Sequence, residues 1–308
     1  MATLFFLVPV QAQAETITPD ETDEYYIPDL SEEELENLKH ILEEENAPDF
    51  INEVPEMDFK SFSSTSEYDS ISLLGERISL DTNSEDFQNY NNFNDEFSLL
   101  LNPDGREPRY RINNTLTSPY NNQARLAILR YDGSGGSCSA TFITPNHVVT
   151  AAHCIYDPYV RTFHQGFAVI PGENDLSHPY GSRAVTNGWV PSTWTGTTPD
   201  QPGMIALGDV RHDYAVLKIN GSHGHTSNYN VFPTGTNNLV SYGYPGNEAI
   251  SSGNGTRWFS FRAPGYVQGL AYGAIVHNSD VTSVLFIRYL GSLPSGFNNN
   301  ENSSLKLL

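Results

Sequence analysis

The stretch Cys138-Ser139-Ala140-Thr141-Phe142-Ile143-Thr144-Pro145-Asn146-His147-Val148-Val149-Thr150-Ala151-Ala152-His153-Cys154 decides how the rest of the chain is read. Two β-rich runs, Ser139 to Ile143 and His147 to Thr150, flank a Pro-Asn turn signal, so the spacing predicts a hairpin. The small pair Ala151-Ala152 then delivers His153 beside Cys154. Cys138 and Cys154 are the chain's only cysteines. A disulfide between them would tie the hairpin to the turn carrying His153 and restrict that imidazole.

The residues Thr150-Ala151-Ala152-His153-Cys154, preceded by Cys138-Ser139-Ala140, resemble the histidine box of trypsin-like serine endopeptidases. Other segments fall in the order that the glutamyl endopeptidase (V8-like) branch shows. Asp104-Gly105-Arg106, Ile112-Asn113-Asn114-Thr115 and Pro119-Tyr120 are similar to the start of the mature enzymes. Asp213-Tyr214-Ala215-Val216-Leu217 resembles the aspartate strand, and Gly243-Tyr244-Pro245-Gly246 a shared loop. The similarity covers residues 99–283. It implies an all-β, two-barrel chymotrypsin-like fold, peptide or protein substrates, and no organic cofactor. Acyl transfer by a serine needs a base for the hydroxyl proton and an anion that holds the imidazole in one tautomer. Carried over residue by residue, His153 is that base and Asp213 orients it.

Charge divides the chain of 308 residues into two chemically different parts. Residues 1–105 hold 26 acids and 3 bases, a net of −23, whereas residues 106–308 hold 11 acids and 13 bases, a net of +2. No basic patch marks a nucleic-acid partner. Residues 1–14 read as the apolar half of a secretory signal, with Ala12 and Ala14 forming a small-residue cleavage pattern. An exported, extracellular or periplasmic protein would keep its cysteines paired. No later run is long enough to span a bilayer.

Residues 15–98 read as an acidic propeptide, the chain's own partner in an otherwise monomeric protein. Ser31-Glu32-Glu33-Glu34 has capping-box spacing, and Leu35, Leu38, Ile41 and Leu42 recur at helical spacing up to Ala47-Pro48. That amphipathic helix needs a partner surface for its apolar stripe. Ser61 to Ser66 and Asn89 to Asn94 read as loop. By resemblance, maturation falls just before Leu99-Leu100-Leu101; cleavage after Arg111, freeing Ile112, is the trypsin-style alternative.

From Leu99 onward, short β-rich runs alternate with Gly, Pro, Asn and Ser, the texture of an all-β barrel or sandwich. Strands are expected at 124–131, 139–144, 147–150, 167–170, 214–219, 238–242, 258–262 and 284–289. His212 is expected to point away from Asp213 on a shared strand. His223-Gly224-His225 lacks a third placed ligand and reads as a polar loop; no metal site is expected, and no spaced carboxylate loop marks a calcium.

The nucleophile departs from the family pattern. No Gly-x-Ser-Gly string occurs in the chain. After Ser283 comes Val284-Leu285-Phe286-Ile287-Arg288 and an Asn-rich tail, so residues 284–308 do not match. Of the Ser-Gly pairs beyond Asp213, Ser252-Gly253 comes before the strands that should precede the nucleophile. Ser295-Gly296 is better placed, and Ser295 is the candidate nucleophile. A truncation or frame change near Ser283 is the favoured explanation of the mismatch. The competing reading is a non-catalytic secreted protease homologue that binds peptides or protein partners.

Overall fold

The Cys138–Cys154 stretch forms the hairpin its turn signal predicts, inside a sheet that closes on itself. The computed structural model describes residues 22–48, 50, 69–78, 109–229, 238–252, 255–271, 274–277, 288–290 and 304–305. The leader at 1–14, the loops at 61–66 and 89–94, the Leu99–Leu101 run and Ser295 lie outside the described residues.

The N-terminal part contributes β1 (Thr22–Glu24), helix α1 (Glu32–Glu44), β2 (Ser70–Ser72) and β3 (Arg77–Ile78). After β4 (Tyr110–Arg111) come β5 (Gln123–Leu129), β6 (Gly135–Thr144), β7 (His147–Thr150), β8 (Tyr156–Asp157) and β9 (Thr162–Phe163). Then follow β10 (Gly166–Pro171), β11 (Arg183–Pro191), β12 (Met204–Ala206) and β13 (Ala215–Ile219). The C-terminal part holds β14 (Asn228–Tyr229), β15 (Asn238–Gly243), β16 (Ile250–Ser252) and β17 (Gly255–Arg257). It ends with β18 (Phe261–Ala271), β19 (Ala274–His277), β20 (Arg288–Leu290) and β21 (Ser304–Leu305).

Strands pair in the order β10-β5-β6-β7-β13-β11, and β11 returns to β10, which closes a six-stranded barrel. Closure covers β11 at Arg183 and Ala184, and from Trp189 to Pro191 its edge is covered by β2 instead. Alternation along each strand sorts side chains between two faces. On β5, Ala124, Leu126 and Ile128 join the interior with Phe142, Val148, Phe167, Val169, Val185 and Leu217. The intervening Ala127, with Ala168 and Ile170 of β10, faces outward and packs on Leu38 of α1. The second sheet runs β14-β21-β20-β15-β18-β19, with β4 paired to β18. The all-β expectation holds, and among the described residues no helix is long and apolar enough to cross a membrane.

Helix α1 starts where its capping box predicts. The Ser31 hydroxyl accepts from the Glu34 amide, while the Glu34 carboxylate accepts from the Ser31 amide. Three acids in the first turn complement the helix dipole. The apolar stripe has its partner surface in β5 and β10, and burying Leu38 there contributes about 1.5–3 kcal/mol.

Several boundaries differ from the sequence reading. Strand β11, which closes the barrel, was not foreseen, because Asn187-Gly188 interrupts its apolar pattern. A Cβ on Gly188 would press on the end of the Leu217 side chain of the neighbouring strand, which would have to shift. The run expected at 258–262 begins at Phe261, and Trp258 instead makes an isolated bridge with Asp175. The expected 214–219 strand begins at Ala215, after a 3₁₀ turn over Leu207–His212, so His212 and Asp213 do not share a strand.

The acidic segment also reaches further into the fold than one docked helix. Strand β2 pairs with β11, and Tyr25, Phe50, Ile71 and Leu73 join the barrel's main apolar cluster.

Candidate active site

Two barrel strands end at the same place and deliver the base and the orienting carboxylate expected from the sequence. Strand β7 pairs in register with β13, with Thr150 opposite Ala215. The turn after β7 carries His153 in a short 3₁₀ segment, Ala152–Cys154, and the turn before β13 carries Asp213. Residues sixty apart therefore meet. The His153 amide donates to Asp213 Oδ1 at 2.8 Å, and its Nδ1 lies 2.7 Å from Asp213 Oδ2.

Both side chains are buried, so the carboxylate has little water to solvate it and takes its hydrogen bonds from His153 instead. With Nδ1–H donating to the carboxylate, Nε2 is the nitrogen left to accept a proton. That is the arrangement a serine-type acyl transfer requires of its base. Cys138 and Cys154 are joined in a disulfide across a sequence separation of 16, which pins the His153 turn to β6. Cys138, His153 and Cys154 are the one cluster with metal-ligand proximity among the described residues, and both sulfurs are committed to the disulfide.

A third side chain completes the surroundings. Tyr25, from the acidic N-terminal segment, stacks on His153 with ring centroids 5.0 Å apart and an interplanar angle of 26°. Its amide donates to Gly203 O at 2.7 Å, and its hydroxyl to Asp157 Oδ1 at 3.3 Å. Burial, then the Asp157 carboxylate, push the Tyr25 phenol well above its ordinary range, so it stays protonated. Sequence reasoning missed Tyr25. The available signal was Tyr25-Tyr26-Ile27-Pro28, an apolar interruption in an acidic run.

A second polar centre lies behind the barrel wall, under α1. Arg125 is buried against Glu173, with Nη2 and Oε1 3.2 Å apart, and Glu34 of α1 approaches Arg125 at 3.6 Å. Burial pushes the Glu173 carboxyl up, but Arg125 and His178 outweigh it and hold the group below the usual carboxylate range.

Other expected positions sort plainly. Ser295, the candidate nucleophile, lies outside the described residues, and Ser252 lies on β16 in the β16–β17 hairpin. His223 is not part of an exposed polar loop: its Nε2 meets Asn121 O at 2.7 Å and its ring packs on Phe142. His212 Nε2 accepts from Arg211 Nε at 2.9 Å.

With this geometry in hand, the likeness to known proteins has a structural setting. The sequence profile of the trypsin family matches residues 112–285, more than half of the chain. A glutamyl endopeptidase of Bacillus licheniformis is 33% identical over 159 residues, covering 50% of this chain and 44% of that protein. An extracellular metalloprotease of Bacillus subtilis is 32% identical over 124 residues, covering 40% and 36%. The chain thus spans less than half the length of these curated relatives. A solved Glu endopeptidase structure is 27% identical, covers 55% of this chain and 72% of its own, and superposes with a TM-score of 0.44. The histidine box, the residue that follows sixty positions later and the matched span agree: the chain belongs to the trypsin family of serine endopeptidases.

Proposed function

We propose that the protein is a secreted serine endopeptidase zymogen that hydrolyses peptide bonds of protein or peptide substrates. The observation that carries this reading is the buried His153–Asp213 pair, held by two hydrogen bonds from His153 to one carboxylate. In the proposed reaction, His153 Nε2 takes the proton of a serine hydroxyl as that oxygen attacks the substrate carbonyl. The imidazolium, steadied by Asp213, then gives the proton to the leaving amine, and water repeats the cycle on the acyl-enzyme. Ser295 is the proposed nucleophile. Residues 1–14 would direct export, 15–98 would form the propeptide, 99–283 the protease domain, and 284–308 the tail. Maturation would fall before Leu99, and amino-terminal sequencing of the secreted form checks it against cleavage after Arg111.

The test is labelling of the secreted form, after removal of the acidic segment, by a fluorophosphonate, which reacts only with an activated serine. Labelling is expected, and His153→Ala should reduce it by about six orders of magnitude, the scale of losing the histidine of such a triad. A folded, processed form with no labelling would sink the endopeptidase reading. It would leave the non-catalytic homologue, which one observation favours: no Gly-x-Ser-Gly string occurs in the sequence.

A further inference from the structure

We infer that residues 22–45 are a built-in competitor for the substrate cleft, in which Tyr25 plugs the space over His153 and helix α1 clamps the plug in place. The inference rests on reading His153 and Asp213 as the reacting pair, and it states how the acidic segment regulates them.

The plug is the first part. His153 is only 2% exposed, so no substrate carbonyl can reach its imidazole while Tyr25 lies stacked on it. Tyr25 is held on several sides. Strand β1 pairs antiparallel with β12, just ahead of the turn that carries Asp213. The Tyr25 ring also meets the edge of Trp194, and its hydroxyl is tied to Asp157. An extended segment that pairs with a strand at the mouth of a site and fills it with an aromatic side chain binds as an added strand does.

The strap continues from the plug across the strand that bears Cys138. The Ser137 amide donates to Pro28 O at 2.8 Å, and the Leu30 amide donates to Gly135 O at 3.3 Å. Arg130 reaches back to the carbonyl of Ile27 and to Asp29, 2.6 Å away.

Glycines on the receiving surface leave room for the segment. A Cβ on Gly135 would come within 2.6 Å of Leu30, and one on Gly136 within 2.7 Å of Ile27. Added Cβ atoms on Gly166 and Gly246 would collide with Leu42 and Pro28. Four missing side chains matched to four residues of one segment describe a fitted surface rather than a loose cover.

Helix α1 is the clamp. Leu38 is buried on β5 and β10, Glu34 accepts from Trp258 Nε1 and faces Arg125, and Glu45 accepts from the Ala184 amide at 2.6 Å. These contacts lie on the barrel's outer face, away from His153, so the clamp can hold the plug without contributing to chemistry.

The test uses the full chain and does not need a working nucleophile. Diethyl pyrocarbonate is applied and each histidine is read by mass spectrometry, with His40, whose side chain is 67% exposed, as the reference. His153 is expected to stay protected in the wild type. Tyr25→Ala should raise its rate by about tenfold or more, because local opening is no longer required. Tyr25→Phe keeps the ring and should keep the protection. Gly246→Val displaces Pro28 without touching the plug itself, and should raise the His153 rate by about tenfold as well, by loosening the strap. His153 reacting as fast as His40 in the wild type, or remaining protected in both Tyr25→Ala and Gly246→Val, would overturn the inference. Exposure of His153 in these variants with no fluorophosphonate labelling would sink the endopeptidase reading and leave the plug standing.

Discussion

The barrel of residues 123–219 and the acidic segment of residues 22–45 both end up buried against each other, by opposite means. Each of the six barrel strands finds two partners within the barrel, so the ring supplies its own ladder, while the Ser137 and Ala184 amides turn to the segment. The segment borrows: β1 leans on β12, Pro28 and Leu30 bond to the backbone of β6, and α1 buries Leu38 only on β5 and β10. A unit that completes its own hydrogen bonds can persist when its cover leaves, whereas a unit that borrows them behaves as a ligand. The acidic part is not uniform in this respect. Residues 22–45 lend Tyr25 to the barrel's main apolar cluster, whereas the 70–78 hairpin lends Ile71 and Leu73 and also pairs through β2 with β11, so that hairpin extends the sheet it covers.

The largest expected effect is at the point where the two regions share a charge. Glu173→Ala leaves Arg125 buried with Glu34 of the segment as its nearest remaining described carboxylate, and should cost about 3–5 kcal/mol of unfolding free energy in urea. If the barrel is self-sufficient, that loss appears in the barrel transition. If it depends on the segment, further removal of Glu34 should lower the midpoint again.

The same residue sets an acid limb. The Glu173 carboxyl in the folded protein lies below its ordinary range. Its stabilisation is therefore fully present above the unfolded value of about 4.3, and is lost as pH falls through the depressed folded value. Glu173→Gln should flatten the fall in stability across that window, read as midpoint against pH. An unchanged slope would remove Glu173 from the account.

Breaking the disulfide tests the barrel alone. The paired change Cys138→Ser and Cys154→Ser reopens a loop with a sequence separation of 16. For a loop near that length, the expected loss is about 3 kcal/mol, seen as a lower thermal midpoint. Protection of the α1 amides should fall with it only if the helix needs the barrel intact.

The smallest change addresses the segment alone. Ser31→Ala removes the hydroxyl that caps α1 and should cost the helix about 1 kcal/mol. Hydrogen exchange should quicken across α1 and leave β5 to β7 unchanged. Equal quickening in both would show that the two regions open as one.

The parts of the structure legible in the sequence are those whose causes are local. Strand β7 occupies His147–Thr150 as read from the sequence, because its β-branched run lies between a turn signal and a small-residue step. Helix α1 begins at its capping box, since Ser31 and Glu34 satisfy each other within one turn. The His153–Asp213 pair was found only through the order of family motifs, because a histidine and an aspartate sixty residues apart carry no local sign of contact.

The sequence by itself determined the hairpin, the helix, the division into acidic and near-neutral parts, and the ancestry carried by the histidine box. These follow from periodicity, turn chemistry, charge count and a specific string of residues. Only the tertiary structure decided that Tyr25 lies on His153, that Arg125 and Glu173 pair on the barrel's outer face under α1, and that β11 closes the barrel. Each of those depends on partners far away in the chain. A ring stacked from 128 positions upstream owes its place to the groove that receives it, and that groove exists only after the barrel strands have closed.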